Sequence, residues 1–329
     1  MASMSLFLCY ETAERLWRSY HCEQLVGASS RVCLSEHCAS LVSDISALTL
    51  PSYISDFSEE KPLHVLVDAS SNRSSNPSLV YHRQQAKLPY ASFYMLCKNI
   101  FVVSPELLFL ELSKSMTHAE AVLLGCELTG TYRLYQHDDK QEGTEVLYGM
   151  PSLTSRHKLI SFLDACHDVR GAKHARVAAQ YVVDGSASPM ESSLALLLSL
   201  PHKYGGYGLP RPDLNVKIPL TTDSQVMAGK RYCKGDIVYP SSKLDIEYDS
   251  DLWHVGPDRI AKDSARRNAL LAEGYDVITV TKAQIYDRQQ LDLLAKLVAR
   301  RLHVRNRVRC DNYDQRQRAL RDTLLPKVT

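Results

Sequence analysis

The chain has 329 residues, 45% of them hydrophobic and 23% charged, with a formal net charge of +2. That length suits two or three domains, and that composition suits a soluble globular protein with a sizeable core. No stretch approaches the ~18 apolar residues needed to span a bilayer. The N-terminus, MASMSLFLCYETAER, lacks the basic start and long apolar run of a signal peptide, so a cytoplasmic protein without a membrane role is expected.

In chain order, Ser5 to Tyr10 reads as a short strand leading into a helix around Glu11 to Tyr20, with Trp17 in the core. Ser35 is placed to cap a helix running to Leu48, and Pro51 to Pro62 reads as a loop or linker. Strands are expected at Leu63–Val67, Leu79–Arg83, Phe93–Cys97 and Ile100–Val103, with a Ser/Asn-rich loop from Ser70 to Ser78. Within them His64 and His82 alternate with apolar residues, the pattern of outward-facing polar groups. From Ser104 the period turns helical. Ser104-Pro105-Glu106 fits a cap with proline at the first helical position, and Thr117 to Glu120 matches a capping box. Residues 136–149 are polar and loop-like, and helices follow at Ser155–Cys166 and Ala172–Val183.

Ser188-Pro189-Met190-Glu191 opens an apolar helix that ends at Leu200. Ser188 serves as its cap, and Glu191 in the first turn suits the helix dipole. After a Gly/Pro-rich loop at Tyr204 to Pro212, Leu214–Ile218 and Asp236–Tyr239 read as strands, and Pro240-Ser241-Ser242 turns the chain. Lys243 to Asp249 then alternates strictly: Leu244, Ile246 and Tyr248 share one face, and Asp245, Glu247 and Asp249 share the other. A hairpin would carry Asp236 beside Glu247 and Asp249. Crowded carboxylates raise one another's pKa unless a cation or a proton holds them together, and Mg²⁺ is the hard dication that oxygen ligands favour. Alternation alone is usually just the solvated face of a sheet edge.

His254 follows, then a polar helix from Asp258 to the C-capping Gly274, then a β-branched strand at Asp276–Val280. On that helix Arg259, Lys262 and Arg266 fall at i, i+3 and i+7, a positive stripe suited to backbone phosphates, with Arg267 beside it. Asp263 offers the competing account of a surface ion pair. Between Lys296 and Thr329, ten Lys and Arg stand against three Asp, a basic segment suited to nucleic acid or to a solvated helix face. The nine cysteines are spread singly from Cys9 to Cys310 without a zinc-type spacing.

The order Asp236, Glu247, Asp249, His254, Asp263, Arg266, Leu270 and Gly274 before a strand resembles the Vsr-like (very-short-patch-repair) branch of the PD-(D/E)XK nuclease superfamily. Ser250 stands where that pattern has Gly, and Asp245 where a small apolar residue is usual. Asp249 replaces the superfamily's Lys, and one extra residue precedes His254. The resemblance implies a restriction-endonuclease-like mixed sheet flanked by helices and a Mg²⁺ (or Mn²⁺) held by Asp236, Glu247 and Asp249. It further implies that His254 acts as general acid/base or phosphate contact, and that Glu191 faces the site from the first helix. Residues 63–191 are more diffusely similar to AbiEi-type antitoxins of type IV toxin–antitoxin systems.

The expected fold class is therefore α/β (α+β) in four segments. Residues 1–60 are mainly helical, 61–185 AbiEi-like, 186–305 nuclease-like, and 306–329 a basic tail. The expected function is a Mg²⁺-dependent endonuclease acting on DNA in repair, restriction or phage defence. The alternative is an antitoxin-like regulator that binds DNA through a catalytically inactive nuclease-like domain, with a cognate toxin or a second copy of itself as partner.

Overall fold

A computed structural model describes residues 5–22, 31–32, 50–68, 76–84, 88–137, 143–249 and 257–325. The expected Ser35–Leu48 helix and His254 lie outside these residues. The chain is mixed α/β and divides into two compact units, Met1–Leu128 with Tyr132–Gln180, and Thr129–Thr131 with Tyr181–Thr329. Among the described residues no helix is long and apolar enough to cross a membrane.

The first unit contains β1 (Leu6–Leu8), α1 (Tyr10–Arg18), β2 (Arg31–Val32), the single turn α2 (Ser52–Ser55), β3 (Leu63–Asp68), β4 (Leu79–Gln84), β5 (Phe93–Cys97) and β6 (Ile100–Val103). There follow α3 (Pro105–Ser113), α4 (His118–Thr129), β7 (Tyr132–Gln136), β8 (Thr144–Tyr148), α5 (Arg156–Ala165) and α6 (Ala172–Ala179). Six strands form one mixed sheet in the order β2-β5-β6-β1-β3-β4. β1 lies inside that sheet, parallel to β6 and antiparallel to β3. Leu6, Phe7 and Leu8 are all buried, which suits a strand covered on both faces. Trp17 is core as expected, its indole N–H donating to the Val103 carbonyl at 2.8 Å. The Ser104 cap and the Thr117–Glu120 capping box both form.

Two expectations fail in this unit. Part of the polar stretch 136–149 is strand, because β7 and β8 pair as an antiparallel ladder from Tyr132↔Tyr148 to Gln136↔Thr144. Backbone pairing asks little of the side chains, so polarity alone hides such a ladder. His64 and His82 are not isolated outward groups either. β3 and β4 run parallel and bring the two rings together.

The second unit contains α7 (Pro189–Ser199), β9 (Asp213–Pro219), α8 (Thr222–Ala228), β10 (Tyr232–Tyr239), β11 (Leu244–Asp249), α9 (Pro257–Ala272), β12 (Asp276–Thr281), α10 (Lys282–Tyr286), α11 (Arg288–Arg301) and α12 (Tyr313–Leu324). Its sheet has the order β12-β11-β10-β9. β9, β10 and β11 are successively antiparallel, and β12 is parallel to β11 after the α9 crossover. Ala269 and Leu270 of α9 pack on Ile218, Leu220, Cys233 and Val238. Gly274 ends α9 at φ +83°, the left-handed conformation a C-terminal glycine adopts at little cost.

Residues 306–329, expected as a basic tail, include a packed helix. In α12 Gln317, Leu320 and Leu324 are buried at i, i+3 and i+7, and the Ser193 hydroxyl of α7 donates to the Leu324 carbonyl at 2.5 Å. The arginines of α12 line the remaining faces, so the charge count conceals an amphipathic helix.

Candidate functional site: a carboxylate cluster at the β10–β11 pair

The site begins with a break in strand alternation. In the β9–β10 ladder Gly235 pairs with Val216 and Ile237 with Leu214. Between them Asn215 takes φ +54°, opposite Asp236. A Cβ added at Gly235 would point at Val238 Cγ2 and at the Asp245 carboxylate, 2.5 and 2.7 Å away. Gly235 and Val238, three residues apart, thus face the same side. The local break turns Asp236 toward β11, where its Oδ2 accepts the Tyr248 backbone N–H at 3.0 Å.

Asp245 and Glu247 of the β11 alternation lie beside it. Asp245 is fully buried, and neither of its carboxylate oxygens has a hydrogen-bond partner among the described residues. Burial first, and the neighbouring Glu247 second, push its pKa up to about 9. Its carboxylate is lodged over Gly235. Glu247 is gripped by Arg266 of α9 in a bidentate pair, Nη1 to Oε2 at 2.6 Å and Nη2 to Oε1 at 2.5 Å. Arg266 Nη2 also donates to the Lys234 carbonyl. Burial opposes the guanidinium charge, but Glu247, Asp245 and Asp236 outweigh it and raise its pKa.

Glu191 enters from α7. Its backbone N–H donates to the Ser188 hydroxyl at 3.2 Å, and that hydroxyl donates back to Oε1 at 3.0 Å. Its Oε2 accepts from the Ala187 N–H at 3.0 Å and from Asn215 Nδ2 at 2.6 Å. Capping and orientation are one arrangement: the contacts that begin the helix also fix the carboxylate. Its charge reaches Asp236, whose pKa burial, Glu247 and Glu191 together raise to about 7, against the Tyr248 N–H and Arg266. Four acids and one arginine therefore converge from β10, β11, α7 and α9.

The other expected site residues divide. Asp249 ends β11 opposite Thr281, and it does not join Asp236 and Glu247 in a three-ligand group. Among the described residues the group of three whose donor atoms lie within 4.8 Å of one another is Glu11, His64 and His82. Arg266 turns inward to Glu247 instead of joining a phosphate stripe, because a half-buried carboxylate offers it a far better partner than water. Lys262 is exposed, and Arg267, also exposed, donates to the Val277 carbonyl at 3.1 Å. Arg259 lies in the first turn of α9. Sequence reasoning gave Asp245 no role and missed Asn215 altogether. The glycine immediately before Asp236 was the available signal for a close approach at that point.

Oxygen donors in net acidic surroundings are the kind a hard dication takes, but among the described residues no three of these acids hold donor atoms within 4.8 Å of one another. Both Glu247 oxygens are taken by Arg266.

No family model matches the chain, and no solved structure matches it. Two uncharacterized proteins of Mycobacterium tuberculosis, from strains CDC 1551 / Oshkosh and H37Rv, are each 29% identical to it over 119 residues. The match covers 36% of this chain and spans 39% of the length of each relative.

Proposed function

We propose that the second unit is a divalent-metal-dependent phosphodiester hydrolase acting on DNA, with the restriction-endonuclease-like arrangement and Vsr-like affinity that the sequence pattern implies. The observation that carries this reading is Asp236. Its carboxyl group is pushed to a pKa of about 7 by burial and by Glu247 and Glu191 from two other elements, as befits a site built for more positive charge than Arg266 supplies. The mixed sheet β12-β11-β10-β9, with α7 before it and α9 within it, supports the fold part of the reading.

Asp236 and Glu247 would hold Mg²⁺ or Mn²⁺, with Asp249 and Glu191 alongside. When bound, such an ion acidifies water and neutralises phosphate oxygens. Arg266, displaced from Glu247, would turn its fork to a backbone phosphate, the geometry a guanidinium matches best. Lys262, Arg259 and Arg267 would hold the flanking backbone without reading sequence. His254, six residues beyond Tyr248, is the general acid/base of this reading, since imidazole titrates in the useful range.

A second reading rests on the same Arg266. A guanidinium that already satisfies both Glu247 oxygens suits a nuclease-like scaffold without chemistry, in an antitoxin-like DNA-binding regulator with a toxin or a second copy as partner. Incubation of supercoiled plasmid with the full chain in Mg²⁺ or Mn²⁺ separates the two. The hydrolase reading expects nicking or linearisation that is lost in EDTA and in Asp236→Ala. Binding that survives EDTA, with no cleavage in any divalent ion, establishes the regulator, and the same assay on single-stranded RNA tests an RNA-directed hydrolase.

A further inference from the structure

The first unit holds a second cluster, chemically unlike the carboxylates of β10 and β11. His64 on β3 and His82 on β4 sit on adjacent parallel strands, where Leu66 is paired with His82. His64 Nδ1 lies 3.0 Å from His82 Nε2 and 2.5 Å from Glu11 Oε2 in the first turn of α1. All three donor atoms fall within 4.8 Å of one another.

One proton serves two of these three donors at a time. If His64 Nδ1 carries a hydrogen, that hydrogen must be divided between Glu11 and the lone pair of His82. If instead His82 Nε2 carries it, the bare Nδ1 of His64 faces a carboxylate oxygen at 2.5 Å, lone pair against lone pair. A dication would accept all three lone pairs at once. Two imidazoles and one carboxylate are borderline donors typical of zinc and its late first-row neighbours. Tetrahedral ligands at zinc distances stand roughly 3.3 Å apart, so only a small opening is needed. The Glu11 side chain, 57% exposed, has the room to move.

The surroundings hold the rings as a metal site requires. Tyr10 stacks on His82 with centroids 3.8 Å apart and planes 17° from parallel. The Thr12 hydroxyl accepts the His64 backbone N–H at 2.8 Å, which ties β3 to α1. Glu11 faces solvent, so a fourth coordination position is open to water.

We propose that Glu11, His64 and His82 form a site for a divalent transition metal, zinc for preference, in the first unit. The site is independent of the carboxylate cluster and of the function proposed for it. The test is Zn²⁺ titration of the chelator-stripped full chain against a chromophoric competitor, with Co²⁺ absorption as a second readout. The expected result is one Zn²⁺ per chain, bound at least about 100-fold more weakly by His64→Ala or His82→Ala, since losing a ligand costs more than losing its supporting partner. Glu11→Gln, at an exposed position where folding is not at stake, should also weaken it. Tetrahedral Co²⁺ bands without thiolate charge transfer would separate this site from the cysteines. Wild-type Zn²⁺ affinity retained in both His64→Ala and His82→Ala, or no competition with the chelator, overturns the proposal.

Discussion

Arg266→Met tests the chemistry of the carboxylate cluster most directly. The substitution keeps an unbranched stem but leaves Glu247, whose side chain is 15% exposed, beside Asp236 and Asp245 with no cation. Removing one partner of a buried pair costs about 3–5 kcal/mol. Because the Arg266 side chain is itself 29% exposed, the low end applies, about 3 kcal/mol. For a unit of this size that lowers Tm by roughly 6–12 °C. If a dication can take the guanidinium's place, 10 mM Mg²⁺ acting on a site with Kd about 1 mM returns about 1.4 kcal/mol. The variant should therefore regain roughly 3–6 °C, whereas the wild type, whose guanidinium competes, gains less. The double variant Arg266→Met/Glu247→Gln removes both charges and should be more stable than Arg266→Met alone, with little response to Mg²⁺. Differential scanning fluorimetry of the three proteins with Mg²⁺ or EDTA reads all of this. An Mg²⁺ shift of equal size in the single and double variants would refute the reasoning, because the ion would then not be acting at Glu247.

Asp245→Asn should flatten the alkaline loss of stability. The folded carboxyl, with its pKa near 9 against an ordinary 3.8, keeps a proton that the unfolded chain releases. Stability therefore falls as pH rises through this window, by about 1.4 kcal/mol per pH unit for one proton; urea denaturation at pH 6 and 8.5 should show a steeper drop for the wild type than for the variant. Gly235→Ala should cost about 1–3 kcal/mol, since the new methyl would meet Val238 and the Asp245 carboxylate, and an unchanged urea midpoint would contradict the close approach. Leu320→Ala should cost about 2–5 kcal/mol if α12 is packed as described, whereas a solvated tail would show no effect in the same assay. Lys262→Glu should weaken DNA binding and reduce its salt dependence by about one phosphate contact, measured by fluorescence anisotropy at several salt concentrations.

The sequence by itself determined those parts of the molecule that local chemistry specifies. The Ser104 and Ser188 caps, the glycine that ends α9, and the one-sided alternation of Leu244 and Ile246 against Asp245 and Glu247 all follow from neighbours a few residues away, so the letters contain them. Glu191 could be read in advance as a cap, because Ser188 stands three residues before it. What the tertiary structure alone decided is which distant groups meet. Arg266 belongs on paper to a phosphate-facing stripe, yet it closes on Glu247, nineteen residues earlier, because only the packing of α9 on β9 and β10 places a guanidinium beside a half-buried carboxylate. Asn215 could not be assigned to Glu191, nor His64 to His82 and Glu11, until strand register and helix placement had been fixed. Charge and donor chemistry are written in single residues. Partnership depends on long-range geometry, which no local pattern encodes.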